Sequence, residues 1–216
     1  MMARGGNGER SGRGDETRAA LLSAGRRVFA RTGFDGASVR RITSAAGTNL
    51  GAITYHFGSK RGLYHAVLAE QLSPLVERVG RAAASEGTPL QRIERVVEVF
   101  FDHLAASPDL PRLLLQEVAA GKTPPKEVVA IVQKNLMHIT GILREGWADG
   151  SIRAGHPLLT ALSVISQPVY MSLVSPLVRE VGGTDLRDPD VRAEAARHVK
   201  GFVRRALAAD PQEHTS

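Results

Sequence analysis

The stretch 33–63 gathers side chains that can hydrogen-bond to phosphates and to the edges of bases. They are the hydroxyls of Ser38, Thr54 and Tyr55, the guanidinium of Arg40, the amide of Asn49, the imidazole of His56 and the amine of Lys60. Donors of this kind hold a protein on a duplex through its phosphates and read base edges in its grooves. Two short helices are expected to carry them, at about 38–46 and 49–56. Between them Gly47-Thr48 marks a tight reversal, because glycine takes the left-handed conformation cheaply. A helix–turn–helix of this shape lays its second helix in the major groove, N-terminal end foremost. Eight residues at 1.5 Å each give roughly 12 Å, enough to span a few base pairs. The small residues Gly51 and Ala52 let the backbone approach closely.

The charge distribution points the same way. Net charge is +6 over 216 residues, and residues 1–65 hold 11 Lys/Arg against 4 Asp/Glu while the remainder is close to neutral. A basic head on a neutral body suits a nucleic-acid-binding domain joined to something else. A basic tail on an ordinary domain is the plainer alternative, but most of the excess lies beyond residue 14, inside the segment expected to fold.

Other chemistries find little support. The chain has no Cys, which excludes disulfides, thiolate metal sites and cysteine nucleophiles. None of the seven His pairs with another at three or four residues on one helix, so no metal ligand set is expected. There is no G-x-S-x-G and no glycine-rich phosphate loop after a strand. No cofactor is expected, and the chain is not read as an enzyme. Aromatics are only 5%, too few for stacking platforms on single strands.

The elements that must position these side chains all read at helical period, giving an all-α fold of about nine helices. Residues 1–14 form a Gly/Arg/Ser-rich tail expected to be disordered and unlike a signal peptide. A DNA-binding domain is expected over 15–75, with the helix–turn–helix at 38–57, and a C-terminal ligand-binding and dimerisation domain over 76–210. Helix 1 should run to about 32 with Leu21, Leu22, Val28 and Phe29 inward. Ser38 and Ser59 are the cap candidates for helices 2 and 4, and Leu63, Val67, Leu72, Leu75 and Val79 form the inward stripe of the fourth. Thr88-Pro89 opens a helix carrying Leu90, Ile93, Val97, Phe101 and Leu104, and a short helix follows to about 120. Thr123-Pro124-Pro125 opens a long helix with Val128, Val132, Leu136, Ile139, Leu143 and Trp147. Asp188-Pro189 opens the last, with Val191, Ala195, Phe202, Val203, Ala206 and Leu207. The tail from Asp210 is expected to fray.

Residues 154–178 contain no Asp, Glu, Lys or Arg. Length alone invites a membrane span. Six polar side chains (Thr160, Ser163, Ser166, Gln167, Ser172 and Ser175) and three prolines argue against lipid. The favoured reading is a helix covered on one face by its own core and on the other by a second copy of the chain. Homodimerisation is therefore expected through helices at about 157–178 and 188–208 packed as a four-helix bundle. Pro168 lies inside that helix and is expected to kink it beside a cavity.

By its residues 15–75 the chain resembles the TetR family of transcriptional regulators. The resemblance rests on Ala24, Phe29, Gly33, Phe34, Ser38, Val39, Ile42, Ala46, Gly47, Gly51, Ile53, Tyr55, His56, Phe57, Ser59, Lys60 and Leu63. Its most specific part is Gly51-Ala52-Ile53-Thr54-Tyr55-His56-Phe57-Gly58-Ser59-Lys60. The phrase also looks like members with a CecR-like C-terminal domain. The resemblance implies a cytoplasmic homodimer that binds a pseudopalindromic operator in double-stranded DNA and is released by a small hydrophobic or amphipathic effector. It implies a phosphate contact at Arg40 and base edges over Asn49, Leu50, Gly51 and Ala52, with Leu50 and Ala52 limited to apolar contact. It further implies phosphate grips at Tyr55 and His56 and another phosphate contact at Lys60. Thr54 stands where the family usually has Tyr, which weakens one contact, and Thr43 stands where it usually has Ala, where its hydroxyl can bond back to a carbonyl one turn earlier. An effector pocket is implied among helices 4 to 8, with Phe100, His103, Gln116, Met137, Trp147, Gln167, Tyr170 and Met171 as candidate walls. A ligand-independent architectural DNA binder and a helical enzyme or carrier with an incidental basic head remain as rival classes.

Overall fold

A computed structural model describes residues 6–119, 121 and 124–209. Among these the chain forms nine helices and no strand: α1 (Gly6–Gly36), α2 (Val39–Ala45), α3 (Gly51–Phe57), α4 (Lys60–Ala83), α5 (Pro89–Ala106), α6 (Leu110–Ala119), α7 (Lys126–Ala148), α8 (Pro157–Gly182) and α9 (Pro189–Leu207). The expected tail at 1–14 is corrected in part. Residues 1–5 lie outside the described residues, but α1 already begins at Gly6. Adding residues to an existing helix costs far less than starting one, and the Thr17 hydroxyl donates to the Arg13 carbonyl at 2.8 Å. The expected frayed end from Asp210 and the helix start at Thr123 also fall outside the described residues. Past the expected stop at Gly33 (φ 70°, ψ 179°) the chain kinks and makes a further turn to Gly36.

The chain divides into two compact units. One comprises Met1–Glu70 and Arg112–Val128, the other Gln71–Pro111 and Val129–Ser216. The division falls inside α4 and gives α6 mostly to the first unit, unlike the single cut at 75/76 expected from the sequence.

In the N-terminal unit, α1 packs on α2 and α3. Leu21, Leu22, Val28, Phe29, Ile42, Ile53, Leu63, Tyr64 and Val67 are buried. Each large apolar side chain so removed from water contributes about 1.5–3 kcal/mol. Tyr64 is the centre of this core. Its ring meets Phe29 edge-on at 4.9 Å and Phe34 at 5.2 Å, and its hydroxyl donates to the Leu113 carbonyl at 2.8 Å. Burial, helped by nearby Glu117, pushes the phenol pKa up to about 12, so the hydroxyl stays a neutral donor. Glu117, itself buried, accepts from Arg61 at 3.3 Å and lies 3.2 Å from His65 Nε2.

In the C-terminal unit α5 is the central helix, and α8 and α9 pack on it. A capping box between Thr88 and Gln91 starts it. The core joins Leu75, Val79, Val96, Val97, Phe100, Phe101, Ile139, Ile142, Leu143, Val164, Val199 and Val203. Three stripe assignments fail: Val132, Phe202 and Ala206 are exposed in the single chain. Each sits on a helix whose inward stripe falls on neighbouring positions, so hydrophobicity alone misplaced the face.

The helix α8 is long and apolar enough to cross a membrane by length and composition, yet only partly buried within the chain. It continues as helix through both Pro168, the position of the expected kink, and Pro176. Its outward residues Leu159, Leu162, Tyr170, Leu177 and Val181 are exposed. They are separated by three, eight, seven and four residues, about one or two helical turns each, so they fall along one side of the helix as a packing stripe does.

Candidate nucleic-acid interface

Local chemistry builds the helix–turn–helix. Ser38, in extended conformation, caps α2 by accepting from the Arg41 amide at 3.2 Å. The Thr43 hydroxyl, buried, donates back to the Val39 and Arg40 carbonyls at 3.1 and 3.2 Å, the back-bond expected of a mid-helix threonine. Gly47 takes φ 65° at the reversal. After α3 the chain turns again at Gly58-Ser59, and the Ser59 hydroxyl accepts from the Gly62 amide at 3.0 Å. A Cβ at Gly62 would lie 2.0 Å from the Phe57 carbonyl oxygen, so only glycine lets α4 begin this close to the end of α3.

The first turn of α3 faces solvent. Asn49, Leu50, Gly51, Thr54 and Tyr55 are exposed, Leu50 by 52% and Tyr55 by 85%. A tyrosine left this open in a single chain is a large amphipathic surface awaiting a partner. The Tyr55 ring stands edge-on to the half-buried His56 at 4.8 Å, which holds the two in one orientation. Arg40 and Arg41 on α2 are exposed, and neither guanidinium has a described ion-pair partner.

Three expectations are corrected. Ala52 is buried at 9% exposure with Ile53, so most of its side chain goes to the domain core rather than to a groove. Asn49 uses its Oδ1 to accept from the Ala52 amide at 3.1 Å. It caps the first turn of α3, and only its side-chain amine remains for a base. Lys60 is not a free phosphate ligand. Its Nζ donates to the Phe34 and Ala37 carbonyls, both at 2.9 Å, and sits 4.3 Å above the Phe34 ring. The amine closes the chain end after α1, and a charged donor in that position contributes roughly 1.5–3 kcal/mol. Lys60→Met should therefore lower the melting temperature by about 3–10 °C, read by differential scanning calorimetry, while leaving the salt dependence of DNA affinity unchanged. A flatter salt slope with an unchanged melting temperature would return Lys60 to the phosphate.

The candidate pocket side chains do not form one set. Phe100 and His103 are buried on α5, and Trp147, Gln167 and Met171 are half-buried. Met137 is exposed on α7 and Tyr170 lies on the outward stripe of α8. Gln116 belongs to the N-terminal unit, where its amide lies against Gly33. Sequence reasoning passed over Gln71 and Asn135, which are buried, as polar residues at stripe positions four before Leu75 and Ile139. It also passed over the Arg61–Glu117–His65 cluster, whose members are too far apart in sequence for any spacing to pair. A surface cavity of about 300 Å³ lies between α5 and α9, walled by Glu98, Asp102, Arg192 and Lys200. Four of its charged side chains pair with one another, Lys200 with Glu98 and Arg192 with Asp102, and Arg197 also lines it.

Comparison with known proteins decides what this arrangement belongs to. Residues 21–67 match the family described as bacterial regulatory proteins, tetR family, and residues 89–203 match the tetracyclin repressor-like C-terminal domain. The chain belongs to the TetR family. Members of it are DNA-binding transcriptional regulators and not enzymes. Among relatives of this TetR-family chain, the HTH-type transcriptional regulator RutR of Escherichia coli K12 is 26% identical over 197 residues, covering 91% of this chain and 92% of RutR. The HTH-type transcriptional activator FasR of Mycolicibacterium smegmatis is 36% identical over 102 residues, 47% of each chain. A tetR-family regulatory protein from Rhodococcus RHA1 superposes with TM-score 0.74 at 20% identity, covering 90% of this chain and 98% of that one. FadR of Bacillus subtilis, in complex with stearoyl-CoA, superposes with TM-score 0.73 at 19% identity, covering 87% and 98%. These structures share the fold.

Proposed function

We propose that this TetR-family regulator is a cytoplasmic homodimeric repressor. It grips a pseudopalindromic operator through α2 and α3 and releases it when a small molecule binds the C-terminal unit. The observation that carries the DNA reading is the open first turn of α3, with Tyr55 exposed on that helix and two exposed arginines on α2 that have no ion-pair partner among the described residues. Dimerisation is supported by the outward stripe of α8, continued on α9 by Phe202, which is also exposed. Apolar surface of that extent is rare on a monomer, and a two-fold dimer would cover it on both copies at once. Release requires a ligand that binds the DNA-incompetent conformation more tightly than the competent one. The helices α4 and α6 each have residues in both units, so a displacement begun in one is carried by the chain into the other.

Footprinting the purified protein on DNA upstream of its own gene tests this reading. A protected site of two inverted half-sites about one or two helical turns apart is expected. Random coverage would favour an architectural binder, and no protection would remove the DNA reading. The activator FasR among the relatives keeps a second sign of regulation in view; a reporter that falls silent when the gene is deleted would identify activation.

A further inference from the structure

The acidic edge of α5 lies against the basic edge of α9. Glu94, Glu98 and Asp102 recur every four residues, so they stand along one side of α5. Glu94 pairs with Arg204 and Glu98 with Lys200. Asp102 is shared, with Arg78 of α4 at 3.5 Å and Arg192 of α9 at 4.0 Å. Both helices and Arg78 belong to the C-terminal unit. At the end of this ladder lies the surface cavity of about 300 Å³ between α5 and α9. Its volume is at the lower end of the range for small-molecule sites.

The charges around the cavity do not balance. Its lining holds three cations, Arg192, Arg197 and Lys200, against two carboxylates, Glu98 and Asp102. Asp102 has its nearer partner in Arg78, which is not part of the lining, and Arg192 is held only at the outer limit of an ion pair. Arg197 is exposed and enters no ion pair among the described residues. Glu194, three residues back on α9, is near enough in spacing to reach it, yet no ion pair joins the two. Two guanidiniums are thus free to take an anion. The rest of the wall is apolar, with Phe101 from α5 and Pro189 and Ala193 from α9.

We propose that this cavity binds a small organic monocarboxylate. The carboxylate pairs with Arg197 and Arg192, and an apolar body lies against Phe101, Pro189 and Ala193. A guanidinium offers two parallel donors that match a carboxylate. A phosphate dianion would set its second charge against Glu98 and Asp102. The site stays open in the proposed dimer. Arg197 and Phe202 are five residues apart, which puts them about 140° apart around α9. The apolar stripe can then meet a second copy while the cavity faces solvent. The ligand joins α5 to α9 from outside the core, so the proposal goes beyond effector release and does not depend on it.

Full-length protein titrated with 3-phenylpropionate at low salt tests it, with 3-phenylpropionamide and propionate as controls. Dissociation constants are read by ligand-observed NMR. The aryl acid should bind about fivefold more tightly than either control. Arg197→Gln should weaken the acid by about three- to fivefold and leave the melting temperature unchanged, because the guanidinium has no partner to lose. Ala193→Leu, at an exposed position, should fill the cavity and remove binding with every charge in place. Glu98→Gln should act in the opposite direction and tighten binding by about two- to threefold, since it frees Lys200 and removes a repelling charge. No binding of the acid, equal binding of the amide, or weaker binding by Glu98→Gln would overturn the proposal. Affinity that survives both Arg197→Gln and Ala193→Leu would put the acid elsewhere and overturn it too. DNA plays no part in these readouts, so a failure of effector release leaves them unchanged.

Discussion

Gly51→Glu is expected to abolish DNA binding while leaving the protein folded and no less stable. Gly51 is exposed in the first turn of α3, its φ is not in the left-handed range, and an added Cβ would meet only Asn49 Oδ1 at 3.4 Å. Removing a glycine from a helix is worth about 0.5–1 kcal/mol. An acidic side chain in the first turn adds a few tenths through the helix dipole. The same carboxylate would point at the base edges and phosphates of a duplex, where a like charge costs several kcal/mol. Affinity for any duplex should fall at least 100-fold, measured by fluorescence anisotropy, with the melting temperature equal or higher. Retained affinity would take α3 off the DNA. Arg40→Ala offers the milder counterpart: a uniform loss across sequences and, with one Arg40 on each copy of the dimer, a salt slope smaller by about 1.8.

Leu177→Asp is expected to split the dimer. Leu177 is 62% exposed in the single chain, so a carboxylate there is harmless to the folded subunit. In a two-fold interface the same residue appears on both copies, which places two unpaired charges in one desolvated contact. Sedimentation should show a species of 23.1 kDa in place of twice that mass, with an unchanged circular dichroism spectrum. Operator affinity should fall by about 10³ or more, since one half-site contact must then hold alone. A variant that still sediments as a dimer would move the interface to another face.

The parts of this architecture legible in sequence are those set by local chemistry. Ser38 before Val39 and Thr88-Pro89 before α5 are read correctly because a cap acts within four residues. The stripe Leu63, Val67, Leu72, Leu75 and Val79 is read correctly because apolar residues recur along one face of α4 at helical spacing, and all five are buried. Position on the helix–turn–helix was legible too, but the use of each side chain was not. Ala52 and Thr54 differ by two residues, which on a helix separates an inward from an outward face. The Lys60 amine goes to the carbonyls of Phe34 and Ala37, a contact across more than twenty residues that no spacing rule predicts. Gln71 and Asn135 escaped notice for a related reason. A lone polar residue on an apolar stripe looks like an ordinary interruption. Phe202 failed in the opposite sense. Its apolar character was read as core, whereas on one copy of the chain it lies outside.

Because the chain contains no cysteine, a single introduced thiol reports on one place only. The most direct test is Gly51→Cys, offered duplexes that carry a disulfide-activated tether either on thymine C5, in the major groove, or on guanine N2, in the minor groove. A helix α3 seated in the major groove should cross-link to the C5 tether within the footprinted half-site and leave the N2 tether untouched. Cross-linking to the N2 tether, or equal and weak reaction with both wherever they are placed, would contradict it.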